Sequence, residues 1–250
     1  MKTNNQDLYN NEEFDEWARR KTIIPEEKYI LTKYLINKEE KILEGGCGGG
    51  RLLFNLAEAG FKNLYGFDTS LKLIEAAQEK NKQLNNQANF SNQNAKKLNY
   101  PDNYFDNIIY LQQIISLIED ASDRKLAVAE ANRILKTGGL ALFSFLDFAG
   151  RWYNKPLAIF LSLIRKARKN DQKISRQLIP WLRRRGKLNY HFLDKDQPLV
   201  YWFKKDETID LLKNNNFEII EIFSRKMLEQ NDLSKYRPGG MLHVIAKKNK

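Results

Sequence analysis

Sulfur and imidazole are scarce in this chain of 250 residues, which has one cysteine (Cys47) and two histidines (His191 and His243). A single cysteine excludes an internal disulfide framework, and two histidines leave little material for a zinc site, so no metal is expected. Long apolar runs are also missing. The longest, Leu157 to Ile164, falls well short of the roughly 20 residues that span a bilayer. The first residues, MKTNNQDLYNNEEF, lack the apolar core of a secretory signal, and a cytoplasmic location is the expectation. No repeat recurs at solenoid spacing.

What is present is the composition of a globular protein, 42% hydrophobic and 29% charged, long enough to bury one substantial core. The charge is unevenly placed. Between Arg151 and Lys205 stand 15 Lys and Arg against three acids, Asp171, Asp194 and Asp196, a local balance of +12 in a chain whose total is +11. The basic character therefore belongs to one segment.

From Lys41 onward, short apolar runs alternate with amphipathic stretches, the pattern of a parallel sheet covered by helices. Strands are expected at Lys41–Gly45, Leu64–Phe67, Asn89–Ser91, Phe105–Leu111 and Leu140–Leu146, with Lys136–Gly139 a turn. Helices are expected at Arg51–Ala59, after the N-cap Ser70, and over Ser122–Leu135. Two further helices, around Glu12–Arg20 and Glu26–Leu35, precede the first strand. The alternation breaks between Asp147 and Lys205. There Pro156 can start a helix with the stripe Leu157, Phe160, Leu161 and Ile164. It resumes with a helix at Asp206–Asn214 and strands at Phe217–Phe223 and Met241–Lys247. The organisation read from this is one domain over 1–250. Its parts are N-terminal helices (1–40), a core (41–146), a basic helical insertion (147–205) and a C-terminal helix with strands (206–250).

The segment Ile42-Leu43-Glu44-Gly45-Gly46-Cys47-Gly48-Gly49-Gly50 joins the first strand to a helix. Glycines there let backbone turn sharply and approach a ligand, and the helix start presents free N–H groups. A dinucleotide fingerprint needs G-x-G-x-x-G, but its third glycine would fall on Arg51. The spacing is G-x-G-x-G through Gly46, Gly48 and Gly50. Asp68 ends the second strand, where two carboxylate oxygens can accept from both ribose hydroxyls. A strand-end aspartate can equally be a helix cap.

The stretches ILEGGCGGG, NLYGFDTSLKLIEAA, NAKKLNYPDNYFDNIIYLQQIISLI and RILKTGGLALFSF, in this order, resemble the class I S-adenosylmethionine-dependent methyltransferases, specifically their small-molecule and lipid-type branch. The resemblance implies an α/β, doubly wound, seven-stranded sheet with the last strand antiparallel and helices on both faces. It implies S-adenosylmethionine as cofactor. Position by position, it implies Glu44 near the methionine amino group, Gly46, Gly48 and Gly50 as the cofactor loop, and Asp68 on the ribose. Asn94 and Ala95 would read the adenine edge, and Gln112 would fall near the methionine moiety and the incoming substrate. Three departures stand out. Asn94 replaces the family's usual Asp, Ser116 replaces a familiar histidine, and Gly45 replaces a larger apolar residue, leaving the strand end underpacked.

The sulfonium needs no activation, only an aligned nucleophile, and a base where the acceptor holds its proton. Candidate bases are Asp147, ending the fifth strand, and His191 in the insertion, although a lone strand-end aspartate or histidine is more often structural. Tyr190 and Tyr201 could line the acceptor pocket. Tyr9 and Trp17 could close a lid from the N-terminal helices, and His243 belongs in the core of the final strand. For the basic insertion three readings stay open: a solvated face, a site for an anionic small-molecule or lipid-linked acceptor approached from a membrane surface by the Leu157–Lys169 helix, or a nucleic-acid contact. The functions these admit are methyl transfer to a small or lipid-like acceptor, methylation of RNA, and a silent fold serving as a membrane or polyanion-binding module.

Overall fold

A computed structural model describes Asn5, Tyr9, residues 13–151, 163–164, 166–168, 174–184, 187–189, 194 and 197–249. Two short helices lead in, α1 (Phe14–Arg19) and α2 (Pro25–Tyr34). Then come β1 (Lys41–Gly45), α3 (Arg51–Glu58), β2 (Asn63–Asp68), α4 (Leu71–Gln83) and β3 (Asn89–Asn92). These are followed by β4 (Phe105–Tyr110), a 3-10 turn (Ile114–Leu117), α5 (Ala121–Ile134) and β5 (Leu135–Asp147). The inserted region carries β6 (Leu178–Pro180), β7 (Arg183–Arg184), β8 (Lys187–Leu188) and β9 (Leu199–Phe203). The chain closes with α6 (Lys205–Lys213), β10 (Phe217–Phe223), α7 (Arg225–Glu229) and β11 (Met241–Lys248).

Seven strands lie in the order β10-β11-β5-β4-β1-β2-β3. The pairs from β5 to β3 are parallel, while β11 runs antiparallel to both β5 and β10. This is the doubly wound sheet expected from the sequence. Side chains alternate between its faces with period 2. Leu43, Phe143 and Val244 pack with α5 and α6 residues such as Ala127 and Leu212. Ile42, Leu142 and Ile245 pack with Ile30, Leu52 and Ile74 on the other face. His243 is buried in β11, its ring stacked on Phe223 at 5.0 Å.

Local chemistry explains the element ends. Ser70 Oγ accepts the Leu73 N–H at 3.2 Å and Asp120 Oδ1 accepts the Ser122 N–H at 2.8 Å, capping α4 and α5. The expected turn Lys136–Gly139 lies inside β5 but is unpaired with β4, between the Phe105–Leu135 and Asn107–Leu140 partners. Gly45 leaves no gap. A Cβ there would stand 2.7 Å from the Tyr110 ring and 2.9 Å from that of Phe67, so two aromatics fill the space the missing side chain opens.

Within the insertion, residues 163–164 and 166–167 are helical, inside the helix expected over Leu157–Lys169, and short strands not expected from the sequence stand beside them. β9 pairs parallel with the end of β5 through Leu146–Trp202 and Asp147–Phe203, and β6 pairs antiparallel with β9. The β5–β9 pairing is non-local, with partners more than fifty residues apart, and no periodicity announces it. Most of the expected Leu157–Lys169 helix, with Tyr190 and His191, lies outside the described residues. Among the described residues no helix is long and apolar enough to cross a membrane, and no cluster of three or more His, Cys, Asp or Glu is placed to hold a metal.

Candidate functional site

After β3 the chain crosses back to place β4 on the other side of β1, so the carboxyl ends of β1 and β4 diverge, the position where open α/β sheets bind ligands. A cavity of about 690 Å³ lies there, within the roughly 300–1,000 Å³ of small-molecule and cofactor sites.

One wall is backbone. Gly46 and Gly48 line the cavity with φ of 68° and 53°, a region that L side chains rarely adopt. At Gly46 a Cβ would also meet Ile114 Cδ1 at 2.2 Å. The turn is tied to the strands, since the Gly46 and Cys47 N–H groups donate to the Phe67 carbonyl at 2.8 and 3.0 Å. Asp68 completes it. Its Oδ2 accepts the Gly48 N–H at 3.0 Å and its Oδ1 accepts the Ser70 N–H at 2.9 Å. Burial raises the Asp68 pKa, and the N–H groups of Ser70, Gly48 and Thr69 offset part of that rise. The acid thus faces the glycine turn as the sequence suggested, and serves as a cap at the same time.

Beyond Asp68 the cavity is bounded by Asn94, Ala95 and Lys96 after β3 and by Gln112 and Ile114 after β4. The Asn94 Oδ1 accepts the Lys96 N–H at 3.1 Å in an Asx turn, which holds the carboxamide at the wall. Gln112 and Gln113 both have positive φ, 56° and 60°, and the strained turn is held by Ser144 Oγ, which accepts the Gln113 N–H at 2.9 Å. Ser116 does not line the cavity; its Oγ accepts the Leu146 N–H at 2.9 Å.

The roof comes from the ends of the chain's other segments. Asn5, Tyr9 and Trp17 line the cavity, with the Tyr9 and Trp17 rings edge to face at 6.2 Å. Asn5 Nδ2 donates to the Leu117 carbonyl at 2.6 Å, and its Oδ1 accepts from Trp181 Nε1 at 3.3 Å. On the opposite side stand Ser175, Leu178 and Tyr201 of the insertion with Arg124 of α5. The Arg124 guanidinium lies 3.7 Å from the Tyr201 ring centroid. The Tyr201 hydroxyl donates to Glu207 Oε1 and accepts from Gln177 Nε2. Burial and the neighbouring Glu207 raise its pKa.

Three of the expected site residues stand off the cavity wall. Gly50 is not on the cavity wall; it is the α3 N-cap at φ 80°, and a Cβ there would strike Phe54 and Phe90 at 2.8 Å. Glu44 is off the wall as well, buried behind it, with Oε2 unpartnered among the described residues and a pKa raised well above the usual range by burial. Asp147 is fully buried away from the cavity. Its Oδ1 accepts the Ala149 N–H at 3.0 Å and its Oδ2 accepts the Tyr236 hydroxyl at 2.7 Å. Those bonds make it a strand-end cap rather than a base at the site.

Sequence reasoning missed Glu27 and Arg51. α2 lowers Glu27 beside the glycine turn, where it accepts Arg51 Nη2 at 2.5 Å, Arg51 Nη1 at 2.6 Å and Gln112 Nε2 at 2.7 Å. Both charges are buried. Burial pushes the Glu27 pKa up, but the Arg51 guanidinium outweighs it and leaves the carboxyl below its ordinary value. The sequence signal was only an acid in a first helical turn and the arginine standing where a dinucleotide loop would want glycine.

Residues 42–139 match the model of a methyltransferase domain. Among solved structures, the chain is similar to an S-adenosylmethionine-dependent methyltransferase from Methanosarcina mazei, with 22% identity, a TM-score of 0.63, and coverage of 91% of this chain and 98% of that one. It is also similar to the magnesium protoporphyrin IX methyltransferase of Synechocystis with bound S-adenosylhomocysteine, at 17% identity and TM-score 0.59 over 97% of each chain. A curated relative, the eEF1A lysine and N-terminal methyltransferase of Bos taurus, is 26% identical over 115 residues, which is 44% of this chain and 16% of that protein's length.

Proposed function

We propose that this chain, whose residues 42–139 match the model of a methyltransferase domain, transfers the methyl group of S-adenosylmethionine to a small-molecule or lipid-like acceptor. The observation that carries the reading is Asp68, a half-buried carboxylate that accepts the Gly48 N–H at the edge of the cavity. Its two oxygens accept the N–H groups of Gly48, Ser70 and Thr69, and a carboxylate, with about four lone-pair sites, can still accept from a ribose hydroxyl.

The other residues fit the same cofactor. Asn94 and the Ala95 N–H form the wall where the adenine edge would be read. Glu44 fits the role that the resemblance implies for it, although it stands behind the cavity wall. A buried carboxylate oxygen without a protein partner is costly, and the amino group of the cofactor is a donor that would satisfy it. When bound, S-adenosylmethionine supplies an electrophilic methyl on sulfur. The chain's part is to bind, to orient and to keep water out. Gln112, held by Glu27, positions the methionine end, and Tyr9 and Trp17 roof the cavity as a lid. The acceptor would enter between the lid and the insertion, against Leu178 and Tyr201. Proximity of this kind can contribute several kcal/mol, roughly 7–11 in the best intramolecular cases.

A second reading has one observation behind it. Glu119, Asp120 and Asp123 stand on the cavity wall, which would suit a cationic amine such as a lysine side chain or a chain N-terminus. The enclosure of the cavity by Asn5, Tyr9 and Leu178 favours the smaller acceptor.

Calorimetry with S-adenosylmethionine and S-adenosylhomocysteine tests the proposal, and an intact fold that binds neither removes it. Incubation with a metabolite extract and with a lysine-containing peptide, read by mass spectrometry for a gain of one methyl group, separates the two acceptors.

A further inference from the structure

Arg124, in the first turn of α5, is only 6% exposed and still lines the cavity. Its Nη1 donates to the Ile118 and Glu119 carbonyls at 2.8 Å each. Those bonds leave Nε and Nη2 for other partners. The guanidinium lies 3.7 Å from the Tyr201 ring centroid, with that of Phe203 farther off at 5.8 Å. Ile118, Glu119 and Tyr201 line the same cavity, so the cation belongs to its wall, beside the tyrosine that flanks the acceptor's entry. Among the described residues Arg124 forms no ion pair, and the acids around it are engaged by other groups. Glu119 Oε1 accepts the Leu199 N–H at 2.9 Å, and Asp120 Oδ1 accepts the Ser122 N–H at 2.8 Å. Asp123 Oδ2 lies 2.7 Å from Lys96 Nζ, and Glu207 Oε2 accepts from Gln177 Nε2 at 2.6 Å. Burial lowers the Arg124 pKa below its ordinary value, and Tyr201, Glu207 and Asp120 offset only part of the fall.

A guanidinium withdrawn from water keeps its charge, because its proton is held too tightly to be shed. Such a charge is costly when nothing of opposite sign pairs with it. Carbonyls and an aromatic face recover part of that cost. A carboxylate recovers more, since its two oxygens match the guanidinium fork. One unpaired positive charge, with Glu119 and Asp120 close by in the chain, suits a monoanion better than a phosphate, whose second charge those acids would oppose. Ile118 and the Tyr201 ring supply apolar wall beside the cation, and Leu178, paired with Tyr201 across β6 and β9, extends it. The arrangement fits a molecule that joins an apolar body to one carboxylate.

We propose that Arg124 binds a carboxylate of the methyl acceptor and so selects acceptors that carry one negative charge on an apolar body. This deepens the reading of the site as a methyltransferase and rests on it for the word acceptor; recognition of a carboxylate stands on its own. Octanoate serves as the probe, titrated calorimetrically into the full chain with and without saturating S-adenosylhomocysteine, and 1-octanol is its neutral counterpart. The variants are Arg124→Gln, which removes the charge, Arg124→Lys, which keeps it, and Lys125→Ala, which removes an exposed cation from the same helix. Glutamine and lysine both retain a donor for the Ile118 and Glu119 carbonyls, which spares the turn before α5. Saturable octanoate binding is expected, weakened about 10- to 100-fold by Arg124→Gln, less by Arg124→Lys, and unchanged by Lys125→Ala. Octanol should bind the natural chain more weakly than octanoate and respond to none of the variants. S-adenosylhomocysteine should bind all four chains equally. Octanoate affinity that survives Arg124→Gln, an equal loss in Lys125→Ala, or no saturable binding to the natural chain overturns the proposal. A matching loss of S-adenosylhomocysteine affinity in Arg124→Gln and Arg124→Lys also overturns it, because the residue would then serve the cofactor. Failure of the natural chain to bind S-adenosylhomocysteine would instead strike the methyltransferase reading, and the cofactor-free octanoate titrations would still decide the carboxylate site.

Discussion

The two sides of the cavity are built on different principles. The wall formed by Gly46, Gly48, Asp68 and Asn94 stands at the ends of parallel core strands, and its polar side chains are fixed by bonds to backbone N–H groups. The wall formed by Asn5, Arg124, Leu178 and Tyr201 is assembled from segments far apart in the chain and held by side chains. The first is suited to a constant ligand read through backbone and one carboxylate. The second is suited to a variable one, since side chains can be exchanged without disturbing the sheet.

That contrast predicts where damage spreads. The largest effect is expected under the constant wall. Arg51→Ala leaves Glu27 buried without its partner, and breaking a buried pair costs about 3–5 kcal/mol, visible as a lower thermal midpoint. Arg51→Met with Glu27→Leu should recover most of it, and equal destabilisation by both variants would show that the pair does not matter. Next comes His243, on the helix-covered face behind the same wall. Burial lowers its pKa from 6.5 to about 4, so the unfolded chain binds a proton that the folded chain refuses. Stability from this residue is complete above about pH 6.5 and is lost as pH falls toward 4, by on the order of 3 kcal/mol. His243→Phe, stacked on Phe223, should flatten denaturant midpoints across that window, whereas an unchanged slope would exclude the residue as its source.

Binding should divide the walls more sharply than stability does. Asp68→Ala removes the acceptor of the Gly48 N–H and the proposed partner of the ribose, and S-adenosylhomocysteine should bind roughly 10- to 100-fold more weakly. Glu44 adds a pH signature. Its raised pKa keeps the carboxyl protonated in the free protein beyond the ordinary range, so its contribution to the free fold is complete below about pH 4.5 and is lost as pH rises through the raised value. A cationic amine prefers the carboxylate, and cofactor affinity should therefore fall on acidification. Glu44→Gln should bind more weakly and lose that dependence; retention of the dependence would place it elsewhere.

How far the sequence could be read follows the same division. Alternating apolar runs, the N-cap Ser70 and the spacing of Gly46, Gly48 and Asp68 are local patterns, and local patterns report strands, helix starts and the turn between them. Gly50 shows the limit even there, because a glycine is demanded by Phe54 and Phe90 as readily as by a ligand. Glu27 and Arg51 are 24 residues apart and meet only because α2 packs beside the start of α3. β9 pairs with the end of β5 across the whole insertion, and nothing in either segment names its partner. Asp147 went astray for a related reason. A strand-end aspartate looks the same in sequence whether it faces a cavity or a tyrosine hydroxyl 89 residues away.

The smallest expected effect is the one that tests the variable wall most directly. Tyr201→Phe keeps the ring against Arg124 and removes only a hydroxyl that bonds Gln177 and Glu207. Two bonds of that kind contribute about 1 kcal/mol each at most in a half-buried setting, and the side chains left behind can turn to water. Stability should fall by about that amount, cofactor affinity should hold, and turnover with an identified acceptor should change less than about 5-fold. A loss of turnover beyond about 100-fold with the cofactor still bound would mean that the hydroxyl handles a proton of the acceptor. Tyr201 would then move from the wall of the cavity to its chemistry, and the side-chain wall would have to be as constrained as the backbone one.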